Sequence, residues 1–294
     1  IGQWHRQNAE ALTLEWLYDR GAYGFSVWDS HSSFVEQLVA LSHLVDLAES
    51  QSLREISITI MDKLFSTIAI NSYQGVFGST HGRTSAPFVK GGLLEPTSGI
   101  SRLMWGAGVF NHHIAGTVSL ACMQVYELPP MIASIANVKP SEIWHRERHK
   151  VHLDQNICKA TYRTADAMLC SAQDYRPGEK GRLEHIWQAT LGVAATVFVN
   201  HPACSSENDA RQPNFWAGNA ILPRVAQWKN VLISIHHLPE DDWMGFTHAY
   251  FPIYAFDEYA IKDDHWAFAR KGEGYLALMA SAGFRLIHQG QYAH

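Results

Sequence analysis

The chain has no run of about 18 consecutive apolar residues, the length a membrane-crossing helix needs. No stretch shows the order of a signal peptide. Cysteine is scarce: four in 294 residues. Cys122, Cys158, Cys170 and Cys204 contain no C-x-x-C pair, which removes the common zinc signatures. Four thiols allow two disulfides. Cys158 and Cys170, however, stand in strand-like apolar stretches and read as small core residues, so the redox compartment stays open. Charge of one sign is also sparse. The net charge is -5, and the densest basic segment is HRERHK at 145–150. That segment contains Glu147 and reads as solvated, which argues against a nucleic-acid binder. Internal repeats and low-complexity tracts are absent. With 47% apolar and 17% charged residues, the composition is that of a globular protein. The length suits one large domain or two modest ones. The chain begins at Ile1 and is read as a piece of something longer, so its compartment is not assigned.

Histidine and tryptophan are plentiful, at 17 and 10 residues. Imidazoles move protons and bind metals near neutral pH, and Trp rings stack on sugars as well as filling cores. Together they point toward a carbohydrate or metal enzyme.

The first half has helical periodicity. Ser33 and Glu36 have the spacing of a capping box, followed by Phe34, Leu38, Leu41, Leu44 and Val45 on one face. Ser52 and Glu55 repeat it ahead of Ile56, Ile60, Leu64, Phe65 and Ile68. Residues 5–18, 98–110 and 117–126 read as further helices, and Pro130 opens a short one to about 137. Antiparallel helical hairpins are the natural arrangement. From about residue 143 the pattern changes to short β-rich runs: 195–200, 230–237, 266–270 and 275–280. Lys271-Gly272-Glu273-Gly274 is a hairpin turn. A boundary is expected at Asn137–Ser141.

Between two of the helical runs lies GVFGSTHGRTSAPF (75–88). A connection needs one or two turn residues; this one holds three glycines, a proline, His81 and Arg83. Long, ornate loops are often functional.

WDSHSSF (28–34), FGSTHGRT (77–84), HIWQATLG (185–192), FVNHP (198–202), THAYFPIYAFDEY (247–259) and WAFARKGEGYLAL (266–278) together resemble the heparinase II/III-like polysaccharide lyase superfamily, over most of the chain. The resemblance implies an α+β multidomain fold: the last helical hairpins of an (α/α) toroid over 1–138, then an antiparallel β-sandwich over 139–294 that is open to being incomplete. It implies β-elimination at a uronic acid. One group stabilises the carboxylate, a base takes the C5 proton and an acid protonates the leaving O4. The implied partner is an acidic polysaccharide or oligosaccharide, with no nucleic acid, no membrane and an oligomer possible. No cofactor is expected and no metal ligands are assigned, although some members of the superfamily carry a structural zinc in the sandwich.

On this basis His81, Arg83, His31, His185 and Tyr73 are the candidate catalytic residues. His81 is a base or acid, Arg83 a two-point carboxylate contact and Tyr73 a phenol. The glycines of the loop would let backbone approach substrate, and Asp29 reads as an N-cap. The candidate substrate-binding residues are His201, Trp187, Trp216, Asn214, His248 and Tyr250. Strict alternation would put His185, Trp187 and Ala189 on one sheet face. His236 and His237 would face opposite ways. The sequence departs from the superfamily where an Asn and a Tyr are common at His31 and Ser33, and a Tyr at Ser85. Two other readings stand beside the lyase. One is a non-catalytic carbohydrate-binding protein of the same fold. The other is a glycoside hydrolase, for which Asp241-Asp242 and Asp257-Glu258 are poor acid pairs. Asp257 and Glu258 are also weighed as metal ligands with His236 or His237.

Overall fold

The computed structural model describes residues 2–152, 155–206, 212–285 and 287. The chain is α+β: helices up to residue 137, antiparallel sheets from residue 143. The helical part holds α1 (Gly2–Tyr23), α2 (His31–Leu47), α3 (Gln51–Ile70), a two-strand ribbon of β1 (Ser72–Tyr73) and β2 (Val76–Phe77), α4 (Ala86–Lys90), α5 (Pro96–Trp105), α6 (Ala115–Ala121) and α7 (Pro130–Asn137).

The apolar faces do what their spacing predicts. Phe34, Leu38, Leu41 and Val45 of α2 join Ile60, Leu64, Phe65 and Ile68 of α3 in one core with Trp105 and Ile132. The predicted capping boxes are displaced. Ser30 and Ser50 occupy the N-cap positions, and only Ser50 caps with its side chain, accepting from Leu53 N at 3.4 Å. Ser33 and Ser52 fall inside the first turns. Asp29, expected as an N-cap, instead precedes it with a left-handed φ of 48° and turns its carboxylate inward. The helix expected over 98–110 ends at Trp105, because Gly106 adopts the left-handed conformation that closes a helix. The one expected over 117–126 is shorter, closing at Cys122.

The second half contains β3 (Ile143–His152), β4 (Gln155–Arg163), β5 (Met168–Gln173), β6 (Trp187–Thr190), β7 (Thr196–Asn200), β8 (Arg224–Trp228), β9 (Val231–Ile235), β10 (His248–Tyr250), β11 (Glu258–Lys262), β12 (Trp266–Lys271) and β13 (Gly274–Met279). Six of them form one antiparallel sheet in the order β10-β7-β6-β5-β4-β3. β8-β9 and β11-β12-β13 make two smaller sheets, and the Lys271–Gly274 turn closes the last hairpin.

The two faces of the large sheet differ in chemistry. Trp187, Ala189 and Val197 pack into an apolar core with Val225, Ala269, Leu276 and Leu278 of the smaller sheets. On the opposite face Lys159, Thr161 and Arg163 alternate along β4, all nearly fully buried, and each meets the helical half. Thr161 Oγ1 donates to Asn71 Oδ1 at 2.8 Å. Arg163 donates to the carbonyls of Ala69 (3.1 Å), Ser72 (2.6 Å) and Ile135 (2.6 Å). Lys159 pairs with Asp29.

HRERHK is correspondingly not a solvated run. Arg146 and Arg148 point to water, whereas Glu147 and buried His149 face inward. Cys158 is exposed on β4 rather than part of a core, while Cys170 is buried; none of the four cysteines forms a disulfide.

Candidate functional site

The loop 75–88 lies in the seam between the two halves. Its glycines serve the protein's own packing, not substrate approach. A Cβ on Gly82 would meet the Trp28 ring at 2.9 Å and its backbone N at 3.0 Å. Gly75 has φ +84°, and a Cβ there would sit 2.5 Å from Gly108 N. Beyond these contacts the loop pairs with the sheet half. His81 N donates to His185 O at 3.0 Å, His185 N returns to His81 O at 2.8 Å, and Thr84 N donates to Leu183 O at 3.2 Å.

This pairing brings three predicted histidines together. The His81 ring lies 3.9 Å from His31 and 5.8 Å from His185, centroid to centroid. All three are buried, at 1 to 3% exposure. His81 Nδ1 is 2.6 Å from the Asp29 carbonyl. A carbonyl only accepts, so Nδ1 carries the proton and Nε2 the lone pair. His185 Nε2 bonds Gln188 Oε1 at 2.8 Å, and Gln188 Nε2 donates to Thr190 Oγ1 at 2.9 Å.

His31 Nδ1 is in direct contact with the Glu95 carboxylate, whose other oxygen accepts from Phe77 N at 3.1 Å. Glu95 is fully buried. It occupies the N-cap position of α5 without capping it.

Burial disfavours charge and holds the trio neutral. It pushes His185 down to about 4. It pushes His31 down to about 3, with His185 adding to the effect. Burial, then His31 and His185, hold His81 well below its ordinary value.

A second buried group adjoins the first through Asp29. Lys159 Nζ contacts the Asp29 carboxylate and lies 2.5 Å from Glu147 Oε1. Glu147 Oε2 is 3.3 Å from His149 Nε2, and His149 Nδ1 accepts from Phe25 N at 3.2 Å. Burial raises the Asp29 carboxyl to about 6, against the pull of Lys159. Burial also works to raise Glu147, but Lys159, His145 and His149 together outweigh it and hold that carboxyl well below its ordinary value. For Lys159, the two acids outweigh desolvation and raise the ammonium.

The other candidates divide. Phe198 lies 4.8 Å from the His185 ring and stacks on Tyr250 at 5.2 Å. Trp216 stacks on His248 at 4.0 Å and meets Tyr250 edge-on. Tyr250, Trp216 and His248 therefore connect to the trio through one packed set of rings. Trp216 and Tyr250 are buried, and Tyr250 OH bonds Tyr254 OH at 2.9 Å; neither is the open sugar platform expected.

Trp187 lies in the apolar core on the other sheet face. Alternation fails at His185, which turns toward Gln188 and Phe198, so His185 and Trp187 do not share a face. His201 is fully buried and fastens a loop: its N donates to Asn219, Nδ1 accepts from Ile221 N at 3.1 Å and Nε2 meets Asp242 at 3.1 Å. Asn214 Oδ1 accepts from Ala217 N within a turn. Tyr73 bonds Ala165 O and Gln74 rather than the histidines, and burial, then Asp166, raises its phenol to about 12. Arg83 is exposed.

Sequence reading missed Glu95, Lys159, Glu147 and His149. An alternating charged pattern over 145–149 was the available signal for Glu147 and His149. Glu95 stands before Pro96 at a helix start, where a Glu reads as ordinary. His236 and His237 lie past the end of β9 rather than in a strand, His236 half-buried and His237 exposed. Among the described residues no group of three or more His, Cys, Asp or Glu side chains is placed to hold a metal. Asp257 and Glu258 instead pair with Lys271 (2.7 Å) and Arg270 (2.9 Å). No protein-family model, curated protein or solved structure matches the chain.

Proposed function

We propose that the chain is a polysaccharide lyase that cleaves a uronic-acid-containing glycan by β-elimination from the His31–His81–His185 cluster. The observation carrying this reading is the convergence of three neutral imidazoles from three separate segments at the seam of the two halves. The neutral imidazole is the proton-accepting form, and elimination begins with loss of the C5 proton. His81 presents its lone pair on Nε2 and is assigned as base. Having taken the C5 proton, His81 is an imidazolium and is assigned to return that proton to the leaving O4; His31, held by Glu95, is assigned to position it. Gln188, whose Oε1 accepts from His185 Nε2 and whose Nε2 gives one hydrogen to Thr190, keeps a second amide hydrogen and is assigned with His185 to the substrate carboxylate. The packing of the large sheet on two smaller sheets, and of helical hairpins ahead of it, supports assigning the toroid-and-sandwich arrangement. Phe88 of α4 lies 5.4 Å from the His31 ring, so this mechanism requires α4 to move aside when the glycan enters.

Full burial of the trio favours a second reading, a non-catalytic carbohydrate-binding protein of the same fold. Ultraviolet absorbance separates the two. Elimination leaves a 4,5-unsaturated uronate that absorbs in the far ultraviolet. Heparin, hyaluronan, alginate, pectin fragments and rhamnose–glucuronate gums form the panel. The lyase predicts a rise on one of them that is lost in His81→Ala, scored per folded molecule because a buried His81 also supports the fold. A flat trace on every glycan, with binding to any, would establish the second reading.

A further inference from the structure

We propose that the outer face of β3, with the tip of the β8–β9 hairpin beside it, binds an acidic oligosaccharide. β3 is the last strand of the large sheet. Its register with β4 runs without a break from Ile143 to Lys150, so Trp144, Arg146 and Arg148 stand on one face. The helical half lies on the other side, where Glu147 and His149 point.

Charge is the first feature that suits an anionic sugar. Arg146 and Arg148 are exposed, and neither has a carboxylate partner among the described residues. The acid between them, Glu147, points the other way and is taken by Lys159 and His149. Directly across on β4 stand Ala160 and Cys158, short side chains that leave both guanidiniums open. Lys150, further along β3, is held over the Tyr23 ring at 4.7 Å. The whole chain has a net charge of -5, so this unbalanced cationic pair is a local exception. A guanidinium grips a carboxylate at two points, and two of them about 7 Å apart along a strand suit carboxylates that recur along a chain.

An aromatic wall is the second. Trp228, 64% exposed near the hairpin tip, meets Trp144 edge-on at 5.9 Å, and an exposed indole can take the C–H face of a sugar. Lys229 beside it is balanced by Glu142 at 2.7 Å, so the wall adds no net charge. From Trp144 to Arg148 is about 13 Å along the strand, longer than one sugar ring, so the ligand is an oligosaccharide. Charged side chains also keep an edge strand from pairing with other chains. Lys would serve that duty equally, and it does not account for the Trp pair. The site lies on the sheet face away from the seam and does not depend on elimination chemistry.

The test is fluorescence anisotropy of end-labelled oligomers mixed with the whole chain and read before any elimination proceeds. A galacturonate hexamer should bind with Kd on the order of 100 μM, more weakly as salt rises. Uncharged maltohexaose should not bind at the same concentrations. A thymidine hexanucleotide should bind more weakly, because a uronate carries its carboxylate on the ring that stacks, whereas a nucleotide holds its phosphate apart from its base. Arg146→Ser and Arg148→Ser should each weaken the hexamer about fivefold, and together about twentyfold, with a flatter salt dependence. Paired Lys replacements keep the charge but not the two-point grip and should recover only part of that loss. Trp228→Ala should weaken binding about fivefold. All three side chains are exposed, so melting temperatures should not change. The proposal is overturned by no binding, by an equal response to maltohexaose, by an equal or tighter response to the hexanucleotide, or by unchanged binding in the double Ser variant, which would put the glycan at the seam instead. Binding lost in that variant, with flat absorbance on all glycans, would sink the lyase and leave this site standing; absorbance without such binding would do the reverse.

Discussion

A histidine that is 1% exposed has a different chemistry from the same residue on a loop. The sequence placed His31, His81 and His185 among the candidates because imidazoles in glycine-rich or strand-end positions often do chemistry, and the structure brings those three together. Their burial was not legible, since it depends on a pairing between residues 81 and 185 that no local pattern announces. Burial also makes them sensitive to acid, with a definite sign. Their folded values lie below the unfolded one of about 6.5. Their contribution is therefore complete above that value and is lost as pH falls, because the unfolded chain takes up protons that the folded chain refuses. For His185, with a folded value of about 4, the loss by pH 5.5 is about 1.4 kcal/mol. Urea midpoints of the wild type at pH 7.5 and 5.5 should differ, and His185→Gln should shrink that difference. An unchanged difference in the variant would mean that His185 is not buried neutral.

Arg163 shows what one strand contributes to its neighbours. Its guanidinium reaches carbonyls in the last turn of α3 and in the last turn of α7, and it has no carboxylate partner among the salt bridges of the described residues. Each helix C-terminus carries about half a negative charge, so two of them balance one buried cation. Arg163→Met leaves those carbonyls without a donor and should cost about 3–5 kcal/mol. Arg163→Lys keeps the charge but cannot span three acceptors and should recover only part of the loss. Denaturant unfolding of both variants checks this, and equal stability of Met and Lys variants would remove the argument. The elements themselves were legible where an apolar face repeats, as in α2, α3, β12 and β13. What misled was β3, where Glu147 and His149 alternate with Arg146 and Arg148. One face of an antiparallel sheet commonly meets water, so alternating charge reads as solvated. Here the polar face meets helices instead, and the difference is set by tertiary packing rather than by the strand.

The seam decides how the whole molecule behaves. An apolar interface between two halves can be exposed at a cost proportional to its area, but this one is built from charges and directed hydrogen bonds. Lys159 meets Asp29, Thr161 meets Asn71, Arg163 meets the helix ends, His149 meets Phe25 N, and residues 81 and 185 exchange backbone bonds. Separating the halves would exchange all of these contacts for water at once, and each hydrogen bond so exchanged loses a net of about 0.5–1.5 kcal/mol. The helical half would lose the donors at the ends of α3 and α7 at the same time. Neither half is therefore expected to fold alone, although the change of periodicity near residue 138 divides them cleanly in sequence. Unfolding of the whole chain should give coincident transitions by Trp fluorescence and far-ultraviolet circular dichroism. Residues 139–294 produced alone should show neither a cooperative transition nor amide protection on β4. A stable, cooperative fragment would mean that the polar face is satisfied by water, and that the seam holding the histidine cluster is an interface able to open.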